Sequence, residues 1–170
     1  RKLNDSRHLE EFQELVKLKN PLYFQSFIDT SFIGIPDVRK SILDRQDALC
    51  ELFTGDSAVY LIVITRNKTY FKKIDRPSYE QATGDFMVLL SDANKLNSNF
   101  DAFLNVSSRL YQMIFGDMDL PPGRMIVSPD GAYFPFEALV SSGKNQPTTY
   151  LIKDHAIGYT YSCRFQLNTI

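Results

Sequence analysis

The chain predicts an α/β layered domain, on three observations. Val59-Tyr60-Leu61-Ile62-Val63-Ile64-Thr65 is rich in β-branched residues, turns at Arg66-Asn67-Lys68 and returns through Thr69 to Ile74, the pattern of a hairpin. Apolar residues at helical spacing follow, over Phe86 to Ala93 and again over Phe100 to Phe115. Gly123 to Val140 then reads as a short buried strand, a Pro129-Asp130-Gly131 turn and a helix opened by Pro135. Strands and helices mixed in this order build one sheet with flanking helices.

Each element has its own signal. Leu9, Phe12, Val16 and Lys19 recur at helical spacing; Ser6 is a candidate cap, Glu10 and Glu11 lie in the first turn, and Asn20-Pro21 ends the helix. Gly34-Ile35-Pro36 reads as a breaker, with Asp37 capping a helix that runs through Ile42 and Leu43. Asp47 to Phe53 fits a helix or a strand, and a short apolar run cannot decide between them. Gly55-Asp56 is a turn signal before the first clear strand. Asn97-Ser98-Asn99 separates the two middle helices, and Pro121-Pro122-Gly123 stops the second. In the turn that follows, Gly131 accepts a positive φ and Asp130 can bond to the local backbone. Pro135 starts a helix over Phe136 to Val140 with Glu137 in its first turn, and Phe134 and Phe136 bury against the sheet. Ser141 to Pro147 is a polar loop. Ala156 to Tyr161 is a last strand with Ile157, Tyr159 and Tyr161 on one face, and a helix begins near Arg164.

The bulk composition bounds the function. The chain has 170 residues, 44% hydrophobic and 13% aromatic, enough for one domain with its own core. A formal net charge of -1 gives no overall field toward nucleic acid or an anionic membrane. The longest apolar stretch, Ala58 to Ile64, is far short of a membrane span, and no charged-then-apolar leader is present. Arg1 already lies in a helical pattern and no cap follows Ile170, so both ends are expected to be cut from something longer. Cys50 and Cys163 read as buried free thiols in a reducing compartment, which makes a cytoplasmic location the expectation. Asn4-Asp5-Ser6, Asn67-Lys68-Thr69 and Asn105-Val106-Ser107 match the glycosylation pattern by chance.

Candidates for chemistry are few. A cysteine peptidase needs a thiolate and a histidine that takes its proton. Cys163 follows His155 by eight positions, and a strand over 156 to 161 holds the two roughly 20 Å apart at ~3.3 Å per residue. Cys50 and His8 have no spacing that pairs them. Two histidines and two cysteines at unrelated spacings make no zinc site, and Asp117 and Asp119 lack the twelve-residue calcium-loop pattern. No Gly-rich phosphate loop is present. Arg66, Lys68, Lys72, Lys73 and Arg76 cluster with Tyr70 and Phe71, which fits a single-stranded nucleic-acid surface or a protein-binding one. The preferred reading is a solvated hairpin whose lysines discourage edge-to-edge pairing.

Several blocks, in order, resemble the CHAT domain, a family of caspase-like and separase-like cysteine peptidases often attached to tetratricopeptide repeats. The blocks are Asp47 to Tyr60 continuing into Leu61 to Thr65, Leu110-Tyr111-Gln112-Met113-Ile114-Phe115, Ile126-Val127-Ser128-Pro129-Asp130-Gly131 with Pro135-Phe136-Glu137-Ala138-Leu139, and Tyr150 to Ser162. The resemblance covers about residues 36 to 165, the front half of the family's domain. It implies a caspase-like sheet in which Ala48 to Phe53 is a strand, giving a three-stranded antiparallel meander over about 48–74. It implies a helical lead-in over 1–35 from an upstream, repeat-bearing region and a CHAT-like front half over 36–170. No His-Gly block is present, and His155 is not followed by Gly, so no catalytic, cofactor-binding or metal-binding residue is carried over and no cofactor is expected. The function implied is a non-catalytic scaffold and interaction surface. Its expected partners are a missing C-terminal catalytic half, the upstream repeats and other proteins, with no nucleic acid and no membrane. The competing reading is a standalone interaction module with a degenerate caspase-like fold. The chain alone is expected to be inactive, its parent a cysteine endopeptidase.

Overall fold

The computed structural model describes residues 2–29, 32–41, 43–44, 46–131, 133–142 and 146–168. It is an α/β fold around a five-stranded mixed sheet of order β3-β2-β1-β4-β5. The strands are β1 (Ala48–Thr54), β2 (Ala58–Thr65), β3 (Thr69–Asp75), β4 (Gly123–Ser128) and β5 (His155–Tyr159). The first three form the antiparallel meander, with Cys50 opposite Val63 and Ile62 opposite Phe71. β4 joins parallel to β1 and β5 parallel to β4. The stretch that pattern alone left open, Ala48 to Phe53, is therefore a strand.

The described residues hold seven α-helical segments: α1 (Lys2–Lys19), α2 (Pro21–Tyr23), α3 (Ile35–Ser41), α4 (Arg76–Leu90), α5 (Ala93–Ser98), α6 (Phe100–Phe115) and α7 (Cys163–Asn168). On the inner face α4 and α6 pack over alternate strand residues: Cys50, Leu61, Val63, Met125 and Val127 lie beneath Phe86, Phe103, Leu110 and Ile114. Tyr79, Ala82, Thr83 and Phe86 form the buried stripe of α4 at helical spacing. Phe134 and Phe136 stack 4.4 Å apart and wedge between sheet and helices, with Phe134 edge-on to Phe86 at 5.8 Å. The described residues cover only half of the outer face. α3, α7 and Leu43 bury Leu49, Ile64 and Ile126 in a smaller core with Val38 and Cys163.

Several boundaries differ from the sequence reading. α4 begins at Arg76, well before Phe86, because the Asp75 side chain accepts from the Ser78 N–H at 3.0 Å and Pro77 stands in the first turn. Asn97 and Ser98 belong to the short helix α5, capped by Asp92. Ser6 lies inside α1 rather than at its cap. Ile35 and Pro36 start α3 instead of breaking it; Asp37 sits in its first turn and accepts from the Gly34 N–H. That helix stops at Ser41, and Leu43 is buried beyond it; Ile42 lies outside the described residues. The helix expected over Phe136 to Val140 is a single 3-10 turn, Phe136–Ala138. Leu139 is already extended, and Val140 bridges to Tyr150. β5 runs from His155 to Tyr159, so Tyr161 lies past its end, 81% exposed, instead of sharing the face of Ile157 and Tyr159.

Candidate functional site

The carboxyl ends of β1 and β4 lie side by side, next to the turn that follows β4. The Pro129-Asp130-Gly131 turn follows β4, with Gly131 at φ 83°. Among the described residues Asp130 bonds across to β1: its carboxylate accepts from the Thr54 N–H at 2.7 Å, and its carbonyl accepts from the Thr54 hydroxyl at 3.1 Å. The turn is thereby tied to the end of β1, a strand 76 residues earlier in sequence.

Beside this clamp lies an open groove of about 490 Å³, bounded by Glu51, Phe53, Tyr60, Ile62, Phe71, Ser128, Asp130 and Tyr161 among others. Its floor is the uncovered half of the outer sheet face. Phe53, Tyr60 and Phe71 stack across three strands with ring centroids 6.4 and 6.1 Å apart. Glu51 shares that floor and accepts from the Cys163 N–H at 2.6 Å, anchoring the start of α7. The β5 edge of the sheet is equally open: among the described residues no strand pairs with its outer side, and Ala156 and Gly158 are exposed.

The thiols and imidazoles are kept apart. His155 points to the inner face with Ile157 and Tyr159, whereas Cys163 packs on the outer face with Val38 and Leu49, so the sheet separates them. Burial pushes the Cys163 thiol up to about 12, with Glu51 adding to the shift. Cys50 is fully buried and its thiol is likewise raised, by burial first. Both are protonated at neutral pH and poor nucleophiles. His155 is 7% exposed, its Nδ1 has no hydrogen-bond partner among the described residues, and burial lowers its pKa. His8 stands on exposed α1, 3.6 Å from Glu11.

Three of the five basic residues of the hairpin pair with acids. Lys68 bonds Asp119 at 2.8 Å and Lys72 bonds Asp117 at 2.9 Å, so the two acids hold lysines. Arg76 pairs with Glu80, and Arg66 donates to the backbone carbonyls of Arg39 and Leu43. This leaves no unbroken basic stripe for a nucleic-acid backbone to follow.

Other contacts escaped the sequence reading. Glu137 does not serve a helix dipole; it accepts from the Tyr159 hydroxyl at 2.6 Å, and that hydroxyl accepts from the Phe136 N–H at 3.0 Å. Burial, with the Glu137 carboxylate beside it, holds the Tyr159 phenol well above its ordinary range. Ser107, fully buried in α6, donates to the Ala138 carbonyl and accepts from the Val140 N–H, both at 2.8 Å. Asp47, buried before β1, takes a two-nitrogen grip from Arg124 at 2.7 and 3.2 Å. Among the described residues no helix is long and apolar enough to cross a membrane, and no group of three or more His, Cys, Asp or Glu could hold a metal ion. No family model and no curated protein sequence matches the chain.

Proposed function

We propose that the chain is the non-catalytic front half of a CHAT-type cysteine peptidase, a scaffold for a separate catalytic half. The observation that carries this reading is the open edge of β5. A parallel edge strand with small, exposed Ala156 and Gly158 offers unpaired backbone groups and room above them for another strand and its covering element. The clamp from Asp130 to Thr54 holds the neighbouring strand ends rigid, at the side where sheets with parallel strands present their sites. α1 supports the link to upstream repeats in that it leaves Leu9, Phe12, Leu15 and Leu18 exposed, apolar surface that a neighbouring repeat would cover. A standalone interaction module is the second reading, and the exposed Phe53, Tyr60 and Phe71 stack favours it.

In this reading the chain alone has no peptidase activity. The test is incubation with fluorogenic peptides and a thiol-directed covalent probe. No turnover is expected, and slow labelling confined to Cys163 is the most the raised thiols permit. Turnover that disappears in Cys163→Ala refutes the proposal and makes Cys163 the nucleophile. Reading the gene beyond Ile170 separates the two functions: a His-Gly block followed by a cysteine supports the scaffold, and a stop codon supports the standalone module.

A further inference from the structure

We propose that the chain pairs with a second copy of itself through the uncovered half of the outer sheet face. This goes beyond the scaffold reading and does not depend on it, because the surface lies on β1, β2 and β3, separated from the β5 edge by β4.

The strand register places six side chains in two rows on this face. One row is Phe53, Tyr60 and Lys73; the other is Glu51, Ile62 and Phe71. Tyr60 and Ile62 form the middle, the two charged residues occupy one pair of opposite corners, and Phe53 and Phe71 occupy the other. Phe53 is 64% exposed and Phe71 68%, although both belong to regular strands and stack on the same tyrosine. Exposed aromatics held by regular strands are common anchors of protein interfaces.

The charges select the occupant. A two-fold axis lying in the interface, perpendicular to the diagonal from Glu51 to Lys73, sets each Glu51 against Lys73 of the other copy. Two identical ion pairs then flank one shared aromatic core, as an isologous interface requires. The two rows are complementary to themselves, with one acid and one base among their six side chains on each copy. The other hairpin lysines do not compete, because Lys68 and Lys72 are held by Asp119 and Asp117. The Glu51 carboxylate is already oriented by its bond to the Cys163 N–H, so little is lost in fixing it.

Sedimentation equilibrium of the full chain, up to about 200 µM, tests this at concentrations where even a weak dimer forms. A monomer–dimer equilibrium is expected. Phe71→Asp, at an exposed position, should abolish it. Lys73→Glu and Glu51→Lys should each weaken it at least about tenfold, since each creates two like-charge contacts. Mixing those two variants should restore a one-to-one dimer, because both contacts again pair opposite charges. Glu51→Lys also removes the acceptor of the Cys163 N–H, so circular dichroism checks its fold; if it unfolds, Phe71→Asp and Lys73→Glu decide alone. A monomer at every concentration, or a dimer that survives Phe71→Asp, overturns the proposal.

Discussion

Replacing Ser107 by Ala should destabilise the fold more than any single exposed substitution, although it removes one oxygen. Ser107 has no exposed surface. Its hydroxyl donates to the Ala138 carbonyl and accepts from the Val140 N–H, each at 2.8 Å, and so ties α6 to the segment after the Phe136–Ala138 turn. Without it, Val140 N–H and the Ala138 carbonyl lose their partner in a space that excludes most water. An orphaned buried donor or acceptor costs about 1–3 kcal/mol, and a carbonyl with a second lone pair falls at the low end. The sum is about 2–4 kcal/mol, a large share of the ~5–15 kcal/mol that a domain has. Alanine's better helix propensity returns only about 0.5 kcal/mol. At roughly 2–4 °C per kcal/mol for a chain of this size, the melting midpoint should fall by roughly 5–10 °C. Urea and thermal melts read the change, with Ser108→Ala as the control one residue along the same helix. A loss below about 0.5 kcal/mol for Ser107→Ala, or an equal loss for both variants, refutes the reasoning.

Two further predictions follow from the same geometry. Asp130→Ala removes the acceptor of the Thr54 N–H, so amide exchange at Thr54 should quicken while global stability falls by about 1 kcal/mol; unchanged exchange would show that the clamp does not hold in solution. Burial lowers the His155 pKa from its ordinary value near 6.5, partly opposed by Asp154, so on acidification the unfolded chain takes this proton before the folded one. The contribution is complete above about pH 6.5, shrinks as pH falls through that value and levels off below the folded pKa; urea midpoints between about pH 8 and about pH 5 should show the slope, and His155→Leu should lack the His155 share of it.

What could be read in the sequence followed the strength of the local signal. The hairpin of β2 and β3 was plain because β-branched residues flank a polar turn. The α6 stripe was plain because Phe103, Leu110 and Ile114 keep helical spacing. The first turns of α4 were missed because Arg76 to Ser78 carry no apolar stripe, and their signal was Asp75 with Pro77, a cap and a first-turn proline. Pro135 gave the opposite error. It suits the start of a helix, but a bridge from Val140 to Tyr150 pulls the chain into extended backbone after one 3-10 turn. Tertiary pairing overrode a correct local preference.

The site was less legible than the fold, for a physical reason. Its contacts join residues far apart in sequence: Asp130 to Thr54, Glu51 to Cys163, Ser107 to Ala138, Tyr159 to Glu137. Each residue alone has a bland local explanation, and the sequence around Asp130 points only to its own turn. β2 hides the open face most thoroughly. Ala58 to Thr65 is almost wholly apolar, which reads as a strand covered on both sides. Covering stops halfway: Ile64 lies under α3, while Ile62 and Tyr60 border the open groove. The partner strands carried the missing clue, since Glu51 and Lys73 alternate with Phe53 and Phe71. A buried strand face seldom carries an acid and a base beside its aromatics, so the pair marks a face left open. Register turns that alternation into a surface, because it sets Phe53 beside Tyr60 and Phe71 beside Ile62 and leaves the two charges at opposite corners.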